Sequence, residues 1–276
     1  MSEATQTAPE QRRPHETGGE PLISVRGLGV RYGDRKVLED VDLDIYKGET
    51  MVILGPSGCG KSTLLRHLEG LAKPSVGTVH VSGTDIGTAS NDELLRVRRL
   101  MGVSFQSAAM FNSMTVGDNV ALPLREHTDL AESTILLMTK MKLQQVGLSG
   151  VEDLYPTQLS GGMRKRASLA RALALDPEIL FFDEPSAGLD PIIAAGIDEL
   201  ILRLKEAFRM TIIVVTHEME SAFRIADRMC MLDQGTVLAV GTSEEILTHT
   251  HPRIRQFVQR IPDRHDESAH SYITGF

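Results

Sequence analysis

The sequence predicts an α/β fold with a mixed, mainly parallel sheet core, an antiparallel β subdomain and an inserted α-helical lobe. Three observations carry this. The short apolar runs Met51–Leu54, Ile179–Phe182 and Thr211–Val215 alternate with helical patterns, as strands buried on both faces do. Leu22–Tyr32 and Val37–Ile45 instead alternate apolar with polar residues around Gly33-Asp34, the pattern of an antiparallel hairpin. After Gln106 the character changes to Met-, Leu- and Ala-rich helical spacing, which reads as a lobe over about 107–175.

Met1–Glu20 is polar and has no apolar core, so residues 1–21 are expected to be a disordered leader, neither signal peptide nor anchor. Residues 22–247 then form one domain and 248–276 an extension. Met51–Leu54 feeds a glycine-rich loop, and Leu64, Leu65, Leu68 and Leu71 give the helix leaving it one apolar face, ended by Gly70 and Pro74. Gly77–Ser82 alternates as a strand, Asn91–Leu100 is a charged helical stretch, and Met101–Phe105 is a short strand ending at Gln106.

Within the lobe, Ala108, Ala109, Met110, Phe111 and Met114 form an apolar cluster, and Ser133–Val146 is a Met- and Leu-rich helix. From Leu159-Ser-Gly-Gly-Met163 a basic helix runs to about Leu175, closed by Asp176-Pro177. Pro191–Phe208 is helical, and Met229–Asp233 with Thr236–Val240 flank Gln234-Gly235 as a closing hairpin. Two short helices follow, Glu244–His249 and Arg253–Arg260, the second with Ile254, Phe257, Val258 and Ile261 on one side. Pro262–Ser271 reads as a spacer, and Tyr272, Ile273 and Phe276 as an apolar anchor at its end.

Composition narrows the function. Acidic residues outnumber basic ones, 37 to 29, so the broad basic footprint of a nucleic-acid binder is not expected. No apolar run approaches the roughly 18 residues of a membrane span, so a membrane role must come through a partner. Cys59 and Cys230 are the only cysteines, which fits a reduced, cytosolic setting.

The loop Gly55, Pro56, Ser57, Gly58, Cys59, Gly60, Lys61, Ser62 and Thr63 has the composition of a phosphate cradle. Its glycines let backbone N–H groups close on an anion at the positive end of a helix, Lys61 reaches the β- and γ-phosphates, and the Ser62 hydroxyl suits Mg²⁺. Four apolar strands stop at polar residues: Leu54 at this loop, Phe105 at Gln106, Phe182 at Asp183, and Val215 at Thr216 and His217. In an open α/β sheet such strand ends meet at the ligand. Asp183 and Gln106 then join Ser62 as metal partners, Glu184 is the candidate general base, and His217 is a candidate for carrying γ-phosphate charge. A zinc reading of His217-Glu218 fails because Ser221 stands where a second histidine is required.

Ser160, Gly161 and Gly162 precede another helix N-terminus. They are either an N-cap with two flexible glycines or a second anion site that serves a nucleotide held by another copy of the chain.

With Tyr32 at the hairpin tip and Ser186–Asp190 after the acidic pair, these motifs, in order and spacing, resemble the nucleotide-binding subunit of ATP-binding cassette (ABC) transporters. The resemblance spans about Leu22 to Leu247. It implies an ABC-type P-loop NTPase using ATP and Mg²⁺, and a head-to-tail homodimer in which Tyr32 stacks adenine. One subunit's phosphate loop and the other's Ser160-Gly161-Gly162 would sandwich each ATP, and Gln106 would report to the membrane domain. Met163 replaces the glutamine usual in the signature.

Phe105–Phe111, Asp118–Thr128 and Pro252–Phe257 further resemble the ATPase of Mla-type phospholipid transporters. That implies phospholipid movement between bacterial inner and outer membranes, with the subunit on the cytoplasmic face of the inner membrane. The implied partners are an integral permease, a periplasmic MCE lipid-binding protein and a STAS-type regulator, with the C-terminal extension reaching a neighbouring subunit. An osmolyte or amino-acid importer ATPase shares every catalytic motif and remains the alternative. A soluble ABC clamp on nucleic acid usually carries coiled-coil insertions or two cassettes, and neither is present.

Overall fold

The structure, a computed structural model, describes residues 19–262. Most of the expected leader, the spacer from residue 263 and the apolar anchor at Tyr272, Ile273 and Phe276 lie outside the described residues.

Strands β1 (Ile23–Tyr32) and β2 (Arg35–Ile45) pair antiparallel, with Tyr32 opposite Arg35 at the turn. Their alternate residues, from Ile23 and Val25 to Leu43 and Ile45, are buried, so the period of two becomes one face of a core. Strand β3 (Thr50–Leu54) enters the glycine loop and α1 (Lys61–Leu68) leaves it with Leu64, Leu65 and Leu68 inward. β4 (Val76–Val81) and β5 (Thr84–Asp85) complete a sheet ordered β2-β1-β4-β5. Helix α2 (Asn91–Arg99) starts at a capping box in which Ser90 and Glu93 each satisfy the other's backbone N–H, and β6 (Met101–Ser104) follows it.

The helical segment contains α3 (Val116–His127), α4 (Glu132–Gln145), a 3-10 turn at Pro156–Gln158 and α5 (Gly161–Ala172). β7 (Ile179–Asp183), α6 (Pro191–Phe208), β8 (Thr211–Thr216) and α7 (Met219–Ile225) resume the alternation. The hairpin β9 (Arg228–Asp233) and β10 (Thr236–Gly241), α8 (Ser243–Leu247) and α9 (Pro252–Val258) end the described chain.

The second sheet is ordered β10-β9-β3-β8-β7-β6, parallel from β9 to β6 and antiparallel at the β10 edge. Its central strands are apolar throughout because each faces two cores. Val52, Leu54, Phe182 and Val214 pack with the lobe and α6, whereas Met51, Ile53, Phe181 and Val215 pack with α1 and the antiparallel sheet.

Three details differ from the sequence reading. The basic helix ends at Ala172, three residues short of Leu175, and the chain turns at Asp176, whose φ is 51°. Leu71, expected on the apolar face of α1, lies beyond the end of that helix and is exposed. The short elements β5 and α7 carry too few residues for a periodic signal.

Candidate nucleotide site

The carboxyl ends of β3, β6, β7 and β8 open onto one cleft of about 780 Å³. It is lined by Tyr32, Pro56, Ser57, Gly58, Gly60, Lys61, Ser62, Thr63, Gln106, Asp183, Glu184 and His217. Arg35, Val37 and Phe257 complete the wall, and none of the three was a candidate for the nucleotide site in the sequence. Tyr32 is 57% exposed at its edge.

The loop's shape is set by close packing. A Cβ on Gly55 would lie 2.1 Å from the Leu232 carbonyl oxygen, and one on Gly60, whose φ is 113°, would lie 2.9 Å from that of Val37. The Cys59 amide donates to Pro56 O at 3.3 Å, and the Gly235 amide donates to Cys59 O at 3.0 Å, tying the loop to the β9–β10 turn. Cys59 is buried, and burial pushes its thiol pKa up, so it packs rather than reacts. Gly55 and Cys59 thus shape the cradle without lining the cleft. Lys61 is buried, with Nζ donating to Gly55 O at 2.8 Å and Pro56 O at 3.0 Å. No acidic residue sits in the first turn of α1, which leaves the positive end of its dipole uncompensated.

Opposite the loop is an acidic pair in a low-dielectric setting. Burial, and next the charge of Glu184, raise the pKa of Asp183, against the pull of Lys61. Glu184 has φ 49°, an uncommon backbone state for a non-glycine residue. It is held by its amide donating to Val215 O at 2.8 Å and its carbonyl accepting from Lys165 Nζ at 3.0 Å. Its carboxylate accepts from Thr216 Oγ1 at 3.1 Å and lies 2.9 Å from His217 Nδ1. His217 is therefore engaged with Glu184 through one ring nitrogen, leaving Nε2 for a ligand. Lys165, buried near the charges of Glu184, Asp183 and Glu218, was legible only as one of several cations after the Ser-Gly-Gly motif.

Ser160, Gly161 and Gly162 do not line this cleft. Ser160 Oγ accepts from the Met163 amide at 3.3 Å as the N-cap of α5, and a Cβ on Gly162 would lie 2.6 Å from Ile193 Cγ2. The Met163 side chain packs against the core, so the position next to the signature glycines is spent on packing.

A second hollow, about 700 Å³, lies beside β6 and α3, lined by Leu95, Arg98, Phe105, Ala109, Phe111, Leu122 and Arg171 among others. Arg171 donates to the carbonyls of Ala108 at 3.1 Å and Ala109 at 2.8 Å, both in left-handed conformations, and so fixes the bend after Gln106. The five-residue apolar cluster expected here divides. Phe111 is 52% exposed and Ala109 lines the hollow, but Ala108 is buried and Met110 packs against the core.

The family described as ABC transporter matches residues 38–187 of this chain, from β2 across the phosphate loop to the acidic pair. This chain belongs to the ABC transporter family. Among its curated relatives, the intermembrane phospholipid transport system ATP-binding protein MlaF of Haemophilus influenzae is 46% identical over 88% of this chain and 92% of its own length. MlaF of Escherichia coli K12 is 40% identical over 88% of this chain and 90% of its own length. The probable ribonucleotide transport ATP-binding protein mkl of Mycobacterium leprae is 47% identical over 86% of this chain and 68% of its own length. Among solved structures, the ATP-binding cassette MJ0796, dimeric and bound to ADP and Pi, superposes with TM-score 0.72 at 30% identity over 80% of this chain and 98% of its own. The structure of cbiO1 from Clostridium perfringens, part of the ABC transporter complex cbiONQ, superposes with TM-score 0.77 at 26% identity over 92% of this chain and 99% of its own.

As an ABC cassette the subunit is an ATPase, and ATP is its nucleotide. No helix among the described residues is long and apolar enough to cross a membrane.

Proposed function

We propose that this ABC ATPase powers phospholipid transport between the inner and outer membranes of a bacterial envelope. The observation carrying the reading is its likeness to MlaF over nearly the full length of both chains, at 46% identity. The mkl relative favours a second reading, ribonucleotide transport, but this chain matches only 68% of that longer protein. The subunit would sit at the cytoplasmic face of the inner membrane. Its partners would be an integral permease, a periplasmic MCE lipid-binding protein and a STAS-type regulator.

In the proposed mechanism Tyr32 stacks the adenine, the loop amides from Ser57 to Thr63 bind the phosphates, and Lys61 turns from its own carbonyls to the β- and γ-oxygens. Glu184 accepts a proton from water as the water oxygen attacks the γ-phosphorus, and the bond to the β-phosphate oxygen breaks to leave ADP. His217 holds the Glu184 carboxylate through Nδ1 and offers Nε2 to the γ-phosphate. No covalent intermediate is needed, since the work is positioning and charge stabilisation.

The donor set fits Mg²⁺. Asp183, Ser62 and Gln106 offer hard oxygen ligands on one cleft, and burial, with the Glu184 charge second, raises the Asp183 pKa, so a cation would restore the solvation its carboxylate lacks. Among the described residues no group of three or more His, Cys, Asp or Glu forms a protein-only metal cage, as suits an ion that shares its shell with phosphates and water. When bound, Mg²⁺ would supply neutralisation of phosphate charge at these residues.

Ser160, Gly161 and Gly162 lie outside the cleft of their own subunit, which supports a role at the ATP of a second copy in a head-to-tail dimer. The hollow at Phe105, Ala109 and Phe111 suits a permease helix, because its apolar lining is exposed and follows directly after Gln106. The test is purification of the full chain from membranes, followed by reconstitution. A co-purifying permease with bound phospholipid, and ATPase activity that depends on phospholipid, supports the reading. ATP-driven uptake of ribonucleotides without lipid movement rejects it.

A further inference from the structure

The resemblance sends the C-terminal extension to a neighbouring subunit, whereas the structure places its helix beside the nucleotide loop of its own chain. α9 has seven residues, too few to be stable alone, so its helicity depends on what it docks against. His251 Nδ1 caps it by accepting from the Arg253 amide at 3.2 Å, and Ile254 is fully buried in the core shared by β3 and β9. Arg253 Nε donates to Asp233 Oδ2 at 3.0 Å, joining the helix to the last residue of β9. The turn that Asp233 opens carries Gly235, whose amide holds Cys59 O. Phe257, one turn further along α9, lines the nucleotide cleft and also, with Pro56, a hollow of about 150 Å³ behind it.

We propose that α9 is a brace of the phosphate loop, with Arg253 and Phe257 as positioning residues for ATP binding. The proposal rests on the reading of the cleft as the ATP site. Phe257 walls the cleft and the hollow on the Pro56 side of the loop, and Arg253 steadies through Asp233 the turn that fixes Cys59. These points lie on either side of Ser57 and Gly58, whose amides must face the phosphates at once. A loop held at both places loses less freedom when it closes on ATP, so docked α9 raises ATP affinity. By linkage, bound ATP must tighten the docking of α9 by the same factor. The extension is thereby part of the nucleotide site of its own subunit, whatever its later residues contact.

The test uses the full chain and the non-hydrolysable analogue AMP-PNP with Mg²⁺. Phe257→Ala and Arg253→Ala should each weaken AMP-PNP binding about fivefold or more and raise the ATP KM by a similar factor with kcat little changed, the pattern of lost ground-state positioning. Phe257→Met, which restores bulk, should recover most of the affinity. Arg255→Ala, exposed on the same helix, should bind as the parent does. In the parent chain, AMP-PNP should slow amide exchange in residues 252–259, and in Phe257→Ala that protection should fall. Unchanged affinity in both alanine variants, or no nucleotide-dependent protection of α9 in a parent that binds AMP-PNP, overturns the brace. Loss of affinity in Lys61→Ala but not in the α9 variants leaves the ATP site standing and rejects this inference alone. A parent that binds no AMP-PNP rejects the reading beneath it.

Discussion

His217 Nδ1 lies 2.9 Å from Glu184 Oε1, while Thr216 Oγ1 donates to the other oxygen of the same carboxylate at 3.1 Å. Thr216 at the end of β8 and His217 after it therefore aim the side chain that follows β7, and the parallel pairing of Asp183 with Val215 sets their register. We predict that Glu184→Gln binds ATP but hydrolyses it about 10²–10⁴-fold more slowly, as loss of a general base requires. His217→Ala should slow turnover roughly 10²-fold, and the double variant should be little worse than Glu184→Gln, because the two act as a unit. Steady-state phosphate release checks both, and fully additive losses would separate the residues' roles.

Lys61 spends its ammonium on two loop carbonyls that ATP phosphates would outcompete. Lys61→Ala should weaken ATP binding at least about tenfold and depress hydrolysis with it, whereas Glu184→Gln leaves binding intact. Calorimetric titration of the two variants side by side makes the distinction. Equal affinities in both would move the phosphate clamp elsewhere.

Neighbours Met110 and Phe111 should separate folding from partner binding. Phe111→Glu changes an exposed side chain in the hollow beside β6, so the subunit should fold and keep ATP affinity but lose permease co-purification. Met110→Glu places a charge against the core and should lower the melting temperature, by about 1–3 kcal/mol of stability. A Phe111→Glu variant that still carries its permease through purification would put the docking surface elsewhere.

Glu69, the residue that ends α1, is buried, and its Oε1 has no hydrogen-bond partner. Burial, and then the charge of Asp183, push its pKa up to about 7 from an ordinary 4.5, with Arg66 opposing. Between these values the native state holds a proton that the unfolded chain has released, so stability falls as pH rises through this window. Above it the full penalty applies, on the order of 3 kcal/mol. Glu69→Gln should therefore be more stable than the parent at pH 8 and nearly equal to it at pH 4.5, by denaturant unfolding. Equal stability at both pH values would mean the carboxyl is solvated.

Much of the site was legible because it is local chemistry. The glycines of the phosphate loop, the lysine after them and the polar residues at four strand ends are read from their immediate neighbours along the chain. What escaped depends on contacts far apart in sequence. Nothing around Phe257 indicates that it shares a hollow with Pro56, some two hundred residues earlier, and the pairing of His217 with Glu184 depends on two strands lying side by side. Met110 and Phe111 have similar apolar character, and the backbone held by Arg171 at Ala108 and Ala109 and by Asn119 at Phe111 decides which is core and which is surface. The parallel strands were recognisable as apolar runs, but a run that is apolar at every position cannot say which residue faces which core.

That last ambiguity becomes useful once resolved. On β3, Val52 packs toward the helical lobe and its neighbour Ile53 toward the antiparallel sheet, one residue apart on the same rigid strand. Methyl labels on these adjacent side chains would sit in the same field of the nucleotide loop yet sense opposite halves of the molecule. A shift in one resonance without the other, as nucleotide is exchanged, would then record which half turns against the sheet.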